Sequence, residues 1–187
     1  MTIKEIYSEI MGHKVEGLMF HQQAEKMMNF LGFKGLKKWQ CYQNIKESVE
    51  LSKINNYIIC HHNIIINEKD PKNISIIPNS WYNYTRFEVD NSTRQTALKD
   101  FFGNWQNREK EVKESLSLMY KEVHELGLIA DLIEIKKMIL DVDKELKCID
   151  RKFLEYKSTD FSLEYIMSDQ CYLHEKYAKK AKEMIGD

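Results

Sequence analysis

Four glutamates stand where helical periodicity asks for apolar side chains. Glu109 interrupts the stripe Trp105, Val112, Leu116, Met119, Val123, Leu126, and Glu145 interrupts Leu132, Ile135, Met138, Val142, Ile149. Glu47 and Glu50 lie one turn apart on an earlier helix. A carboxylate stripped of water without a partner is costly, so an inner face bearing several needs a cation beside them or protonated carboxyls. Oxygen donors of this kind suit a hard divalent ion such as Mn²⁺, Mg²⁺ or Ca²⁺. For Glu47 and Glu50 a second reading stays open: a solvated face, with Ile45 and Val49 marking the buried side.

The elements that must position these carboxylates are helices. Thr2-Ile3-Lys4-Glu5 is a capping box, and Ile3, Ile6, Ile10, Gly17, Ala24, Met28 and Leu31 follow at three-and-four spacing until Gly32. The tight turn Gly32-Phe33-Lys34-Gly35 leads into a second helix reaching about Cys60, which makes the two antiparallel neighbours. Residues 61–92, with Asp70-Pro71 and Pro78, cannot continue the helix and read as one long crossover. Ser92-Thr93-Arg94-Gln95 reads as a second capping box, opening a helix that stops at Gly127. A fourth helix covers about Leu128 to Tyr156. Asp160 then caps a fifth, with Leu163, Ile166, Leu173, Tyr177, Ala181 and Met184 on one face. That face must pack on its own bundle or on another chain. The spacing predicts an all-α bundle over residues 1–157, with a C-terminal helix over 158–187.

Seven glycines and two prolines in 187 residues, with 30% charged side chains, favour helix over sheet. The 28 basic and 29 acidic side chains nearly cancel, so no overall field draws in nucleic acid or an anionic membrane. Neither a membrane span nor a signal core is legible, which predicts a cytoplasmic protein and leaves the sequons at Asn73, Asn83 and Asn91 unused. Cys41, Cys60, Cys148 and Cys171 lack metal-ligand spacing and read as small half-buried hydrophobes. His61 and His62 read as an exposed helix end. Asp131 and Glu134, in a first helical turn, read as complements to the helix dipole, and Trp39 and Trp105 as bundle packing.

Gly32-Phe33-Lys34-Gly35-Leu36-Lys37-Lys38-Trp39, followed by the helix bearing Glu47 and Glu50, resembles the first hairpin of bacterial non-haem ferritins, which reads G-F-x-G-F-x-x-W and then E-E-x-x-H. Asn107-Arg108-Glu109-Lys110-Glu111-Val112 resembles their third-helix H-E-K-x-V pattern, and Glu145 follows where the last fourth-helix ligand falls. The likeness spans roughly residues 5 to 150 and implies a ferritin-like four-helix bundle with one long crossover, built around a di-iron ferroxidase centre.

Carried over by position, the resemblance gives Glu47 as the bridging ligand, with Glu109 and Glu145 completing the second metal position. At the first position Lys14 stands for a glutamate and Glu50 for a histidine. Val142 replaces a glutamine, and His21 a tyrosine. The metal-ligand set is therefore Glu47, Glu50, Glu109 and Glu145, with no catalytic residue assigned. The centre expected is a partly lost one holding a single ion or none: iron by resemblance, Mn or Mg by donor type. Lys14 reads either as an inward ammonium that lowers nearby carboxylate pKa values or as a snorkelling surface lysine.

The function expected is ferritin-family handling of iron or another divalent metal in a homo-oligomer, without nucleic acid or membrane. The alternative is a non-catalytic structural or interaction subunit, in which Lys14 and the glutamates form a buried salt-bridge network. The family's usual 24-subunit shell ends in a short fifth helix, whereas this chain ends in a longer one.

Overall fold

The computed structural model describes residues 1–67, 71, 74–79, 81, 85 and 88–186. They form five helices: α1 (Ile3–Leu31), α2 (Lys34–His62), α3 (Asn91–Glu125), α4 (Ile129–Ser158) and α5 (Leu163–Ile185). Among the described residues there is no strand. Asp70, Asn73 and Asn83 lie outside them, and Asn91 opens α3.

The capping box at Thr2 is formed in both directions. Thr2 Oγ1 accepts from the Glu5 amide at 3.3 Å, and Glu5 Oε2 accepts from the Thr2 amide at 2.8 Å. Gly32 ends α1 at φ 89°, a left-handed conformation that glycine adopts without a Cβ penalty. Two expected caps are corrected. Helix α3 is capped by Asp90, not Ser92, because the Asp90 carboxylate accepts from the Thr93 amide at 2.7 Å and carries negative charge to the positive end of the helix. Helix α5 starts after Ser162, not Asp160. Asp160 and Phe161 both take positive φ, 47° and 55°, making a turn that buries the Phe161 ring.

Helices α1 and α2 form one hairpin and α3 and α4 another, with α1 also against α3. The fifth helix lies along α2 of its own chain. Helix α2 has no side-chain cap of its own at Phe33, and Gln170 of α5 supplies one: its Oε1 accepts from the amides of Gly35 at 2.9 Å and Leu36 at 3.1 Å. Gly35 permits this approach, since a Cβ there would sit 2.4 Å from the Gln170 carbonyl oxygen. Tyr177 stacks on Trp39 with centroids 4.9 Å apart.

The core is split in two. One apolar cluster gathers Phe20, Trp39, Phe102, Trp105, Tyr156 and Tyr177, and the other Ile6, Ile10, Ile54, Leu116, Met119 and Ile135. On α1, α2 and α3 the side chains pass from one cluster to the other through a charged segment holding Lys14, Glu47, Arg108 and Glu109, and on α4 Glu145 stands near the same change-over. These side chains line one cavity and form a polar layer between the two apolar halves. No described helix is long and apolar enough to cross a membrane.

Candidate functional site

All four predicted glutamates converge on this layer, where they line one cavity of about 370 Å³ together with Lys14, Lys46 and Arg108. Glu47, Glu109 and Glu145 are 5%, 2% and 8% exposed, and Glu50 is half-buried. The solvated-face reading of α2 is thereby corrected. Its inward stripe is Leu36, Gln40, Gln43, Glu47, Ile54 and Ile58, while Ile45 and Val49 are only half-buried.

Each carboxylate meets a basic side chain. The Lys14 ammonium points inward and lies 2.9 Å from Glu47 Oε2 and 2.5 Å from Glu50 Oε2. Lys46 donates to Glu145 Oε2 at 2.6 Å, and Gln43 Nε2 donates to the other Glu145 oxygen. Arg108 pairs with Glu109 through Nη1, lies 3.9 Å from Glu47 through Nη2, and donates Nη2 to the His13 carbonyl at 2.9 Å. Gly17 makes room for this, because a Cβ on it would fall 2.5 Å from Arg108 Nη2 and 2.9 Å from Glu47.

The electrostatics follow from that geometry. Burial pushes the Glu47 carboxyl up, but Lys14 and then Arg108 outweigh it and hold the group at about 2. Burial likewise raises Glu109, to about 7; Arg108 opposes this, while Glu145 and Glu47 add to it. Burial lowers the two lysines, yet Glu47 and Glu50 around Lys14, and Glu145 and Glu50 around Lys46, raise both above the ordinary lysine value. In the network itself four carboxyls face three basic side chains, and Glu109 is the carboxyl that burial holds most strongly to its proton.

Beside this network lies His21, wholly buried. Its Nδ1 is 2.7 Å from Gln40 Oε1, and its Nε2 has no hydrogen-bond partner. Burial first, then the nearby Arg108 charge, lower its pKa to about 3, so the ring is neutral. A ring nitrogen of His21 and one oxygen each of Glu109 and Glu145 lie within 4.8 Å of one another.

No family model, curated protein or solved structure matches this chain.

The fit of a di-iron pair can be judged on the residues themselves. The first metal position would lie between Glu47 and Glu50, and the Lys14 ammonium already contacts both. The second would be shared by Glu47, Glu109 and Glu145, so both ions would draw on Glu47, which the Lys14 ammonium already contacts. A pair of divalent ions added to Lys14, Lys46 and Arg108 would leave the buried layer strongly positive. The residues present do not fit a di-iron pair.

Arg108, Lys46, Gln43 and His21 take part in the layer without having been singled out as site residues. Gln40, Gln43, Glu47 and Glu50 do recur at three-and-four spacing on α2, and that polar stripe is the sequence signal for this face. A buried carboxylate outside the layer also departs from expectation. Asp131 is no mere dipole complement: its Oδ1 accepts from Tyr7 at 2.6 Å and Tyr57 at 3.2 Å and lies 2.7 Å from His62 Nε2. His62 is accordingly half-buried and partnered, whereas His61 is exposed and stacks on Tyr57. This cluster ties the end of α2 to the start of α4.

Proposed function

We propose that this chain is a ferritin-like bundle in which side-chain cations have taken over the space of a di-iron centre, leaving a non-catalytic structural or assembly subunit without ferroxidase activity. The observation that carries the reading is the Lys14 ammonium within ion-pair distance of both Glu47 and Glu50. Support for the ferritin-like likeness comes from two helical hairpins joined by the long connection 63–90, with four glutamates meeting between them. Self-association belongs to the proposal. Ile129, Ile133 and Leu140 are exposed at helical spacing along α4 and offer an apolar face to a second copy.

A second reading, divalent-metal handling at a single site, is favoured by the grouping of His21, whose Nε2 has no hydrogen-bond partner, with Glu109 and Glu145. Iron is then one candidate cargo, and Mn, Zn or Mg others.

Adding Fe²⁺ to the metal-free protein in air tests the first reading. The expected outcome is ferric absorbance growing no faster than in buffer. Rapid ferric absorbance saturating at two iron atoms per chain overturns it.

A further inference from the structure

The wholly buried His21 Nε2, left without a hydrogen-bond partner beside the charged layer, points to a ligand that the salt bridges do not account for. Three of the four helices contribute. His21 comes from α1, Glu109 from α3 and Glu145 from α4. We propose that these three residues bind one divalent transition-metal ion through His21 Nε2 and one carboxylate oxygen each of Glu109 and Glu145. The proposal deepens the metal-handling reading above and rests on it. It moves the ion away from the space filled by Lys14, and it uses a histidine at a position where the ferritin resemblance supplies a tyrosine.

Four observations carry it. First, His21 is wholly buried and Nε2 finds no donor or acceptor, an arrangement that leaves a polar atom uncompensated unless something binds it. Second, with the Gln40 carbonyl oxygen 2.7 Å from Nδ1, the proton sits on Nδ1 and the lone pair is on Nε2. A hydrogen bond to the far ring nitrogen is the support that metal-bound histidines require, since it fixes both tautomer and ring orientation. Edge contacts from Phe20 and Trp105, with centroids 5.3 and 5.4 Å from that of His21, hold the ring in place.

Third, a ring nitrogen of His21 and one oxygen each of Glu109 and Glu145 lie within 4.8 Å of one another, and Nε2 is the ring nitrogen that Gln40 leaves open. Metal–ligand bonds of about 2.1 Å set neighbouring donors about 3 to 3.5 Å apart, so closing on an ion takes a side-chain adjustment of about 1 Å. Fourth, the carboxylates can accept an ion without losing their present partners. A carboxylate offers about four lone-pair sites, of which Glu145 gives one each to Gln43 and Lys46, and Glu109 one to Arg108. Lys46 also lies 3.9 Å from Glu50, a second carboxylate that can take more of its charge when an ion arrives. One imidazole and two carboxylates suit Zn²⁺, Fe²⁺ or Co²⁺, while a site of carboxylates alone would favour Mg²⁺ or Ca²⁺.

The test is a calorimetric titration of the chelator-treated protein with Zn²⁺, repeated on His21→Ala and on His61→Gln, the latter an exposed histidine stacked on Tyr57. The expected result is one Zn²⁺ per chain, weakened at least about tenfold by His21→Ala and unchanged by His61→Gln. Nitrogen-15 histidine spectra of the unmutated protein supply a readout that does not depend on a variant folding. Among the six histidines, Nε2 of His21 should shift on adding one equivalent of Zn²⁺ while its Nδ1 proton persists. Absence of Zn²⁺ uptake overturns both the site and the metal-handling reading. Uptake with full affinity in His21→Ala, or with His21 Nε2 unmoved, overturns the site alone.

Discussion

Lys14 Nζ lies 2.9 Å from Glu47 Oε2, so the first helix brings an ammonium to a carboxylate that is itself 5% exposed. Removing one partner of such a pair leaves a buried charge that the remaining neighbours only partly offset. Lys14→Met should therefore destabilise the fold by about 3 kcal/mol, within the range for breaking a buried ion pair, and Lys14→Met with Glu47→Gln should recover part of that loss. Urea unfolding of the two variants checks this. A single variant as stable as the parent would mean that Glu47 does not depend on Lys14.

Two glycines in helix interiors should respond with opposite signs to the same change. A methyl at Gly17 would overlap Arg108 and Glu47, whereas a methyl at Gly103 meets nothing within 4 Å. Gly17→Ala should cost about 1 to 3 kcal/mol, and Gly103→Ala should stabilise the protein by about 0.5 to 1 kcal/mol through helix propensity. Thermal melts of the pair are the measurement. Equal responses would show that the packing around Arg108 is loose.

The junction of α2 and α5 depends on a single side chain. Gln170→Ala removes the acceptor for two buried amides and should cost about 1 to 2 kcal/mol, with protection from hydrogen exchange falling first at Gly35 and Leu36. Unchanged exchange at those two amides would show that another group caps α2.

Stability should depend on pH in two regimes. His21 has a folded pKa of about 3, below its unfolded value near 6.5, so its contribution is present above 6.5 and is lost as pH falls toward 3. Glu47, held at about 2 against 4.5 when unfolded, loses its contribution as pH falls below 4.5. Glu109 acts oppositely: with a folded pKa of about 7, it binds its proton in the fold first, so stability is gained as pH falls from 7 to 4.5. Between 6.5 and 4.5 His21 and Glu109 offset one another and the curve is nearly flat. Below 4.5 His21 and Glu47 act together, and stability falls by about 2 to 3 kcal/mol per pH unit. Denaturant midpoints across this range check the shape, and a steady fall beginning at 6.5 would contradict it.

Much of this was legible in the sequence because the signals were periodic. The interruption of apolar stripes by Glu109 and Glu145 identified an inward acidic layer, and the Thr2 capping box and Gly32 marked both ends of α1. What escaped was set by contacts between distant segments. Lys46 and Arg108 were not singled out, since nothing local says that one will meet Glu145, 99 residues away, or that the missing Cβ of Gly17 admits the other. His62 looked like a frayed end because its partner, Asp131, belongs to another helix. The start of α5 was misjudged at Asp160 because the left-handed turn at Asp160 and Phe161 follows from burial of the Phe161 ring, which local capping preferences do not reveal.

The central claim, that an ammonium stands where a di-iron centre would place its first ion, is tested most directly by an anomalous diffraction map of crystals grown with excess Fe²⁺. The account predicts no anomalous peak between Glu47 and Glu50, with Lys14 contacting both carboxylates. Two iron peaks bridged by Glu47, with Lys14 turned away, would contradict it.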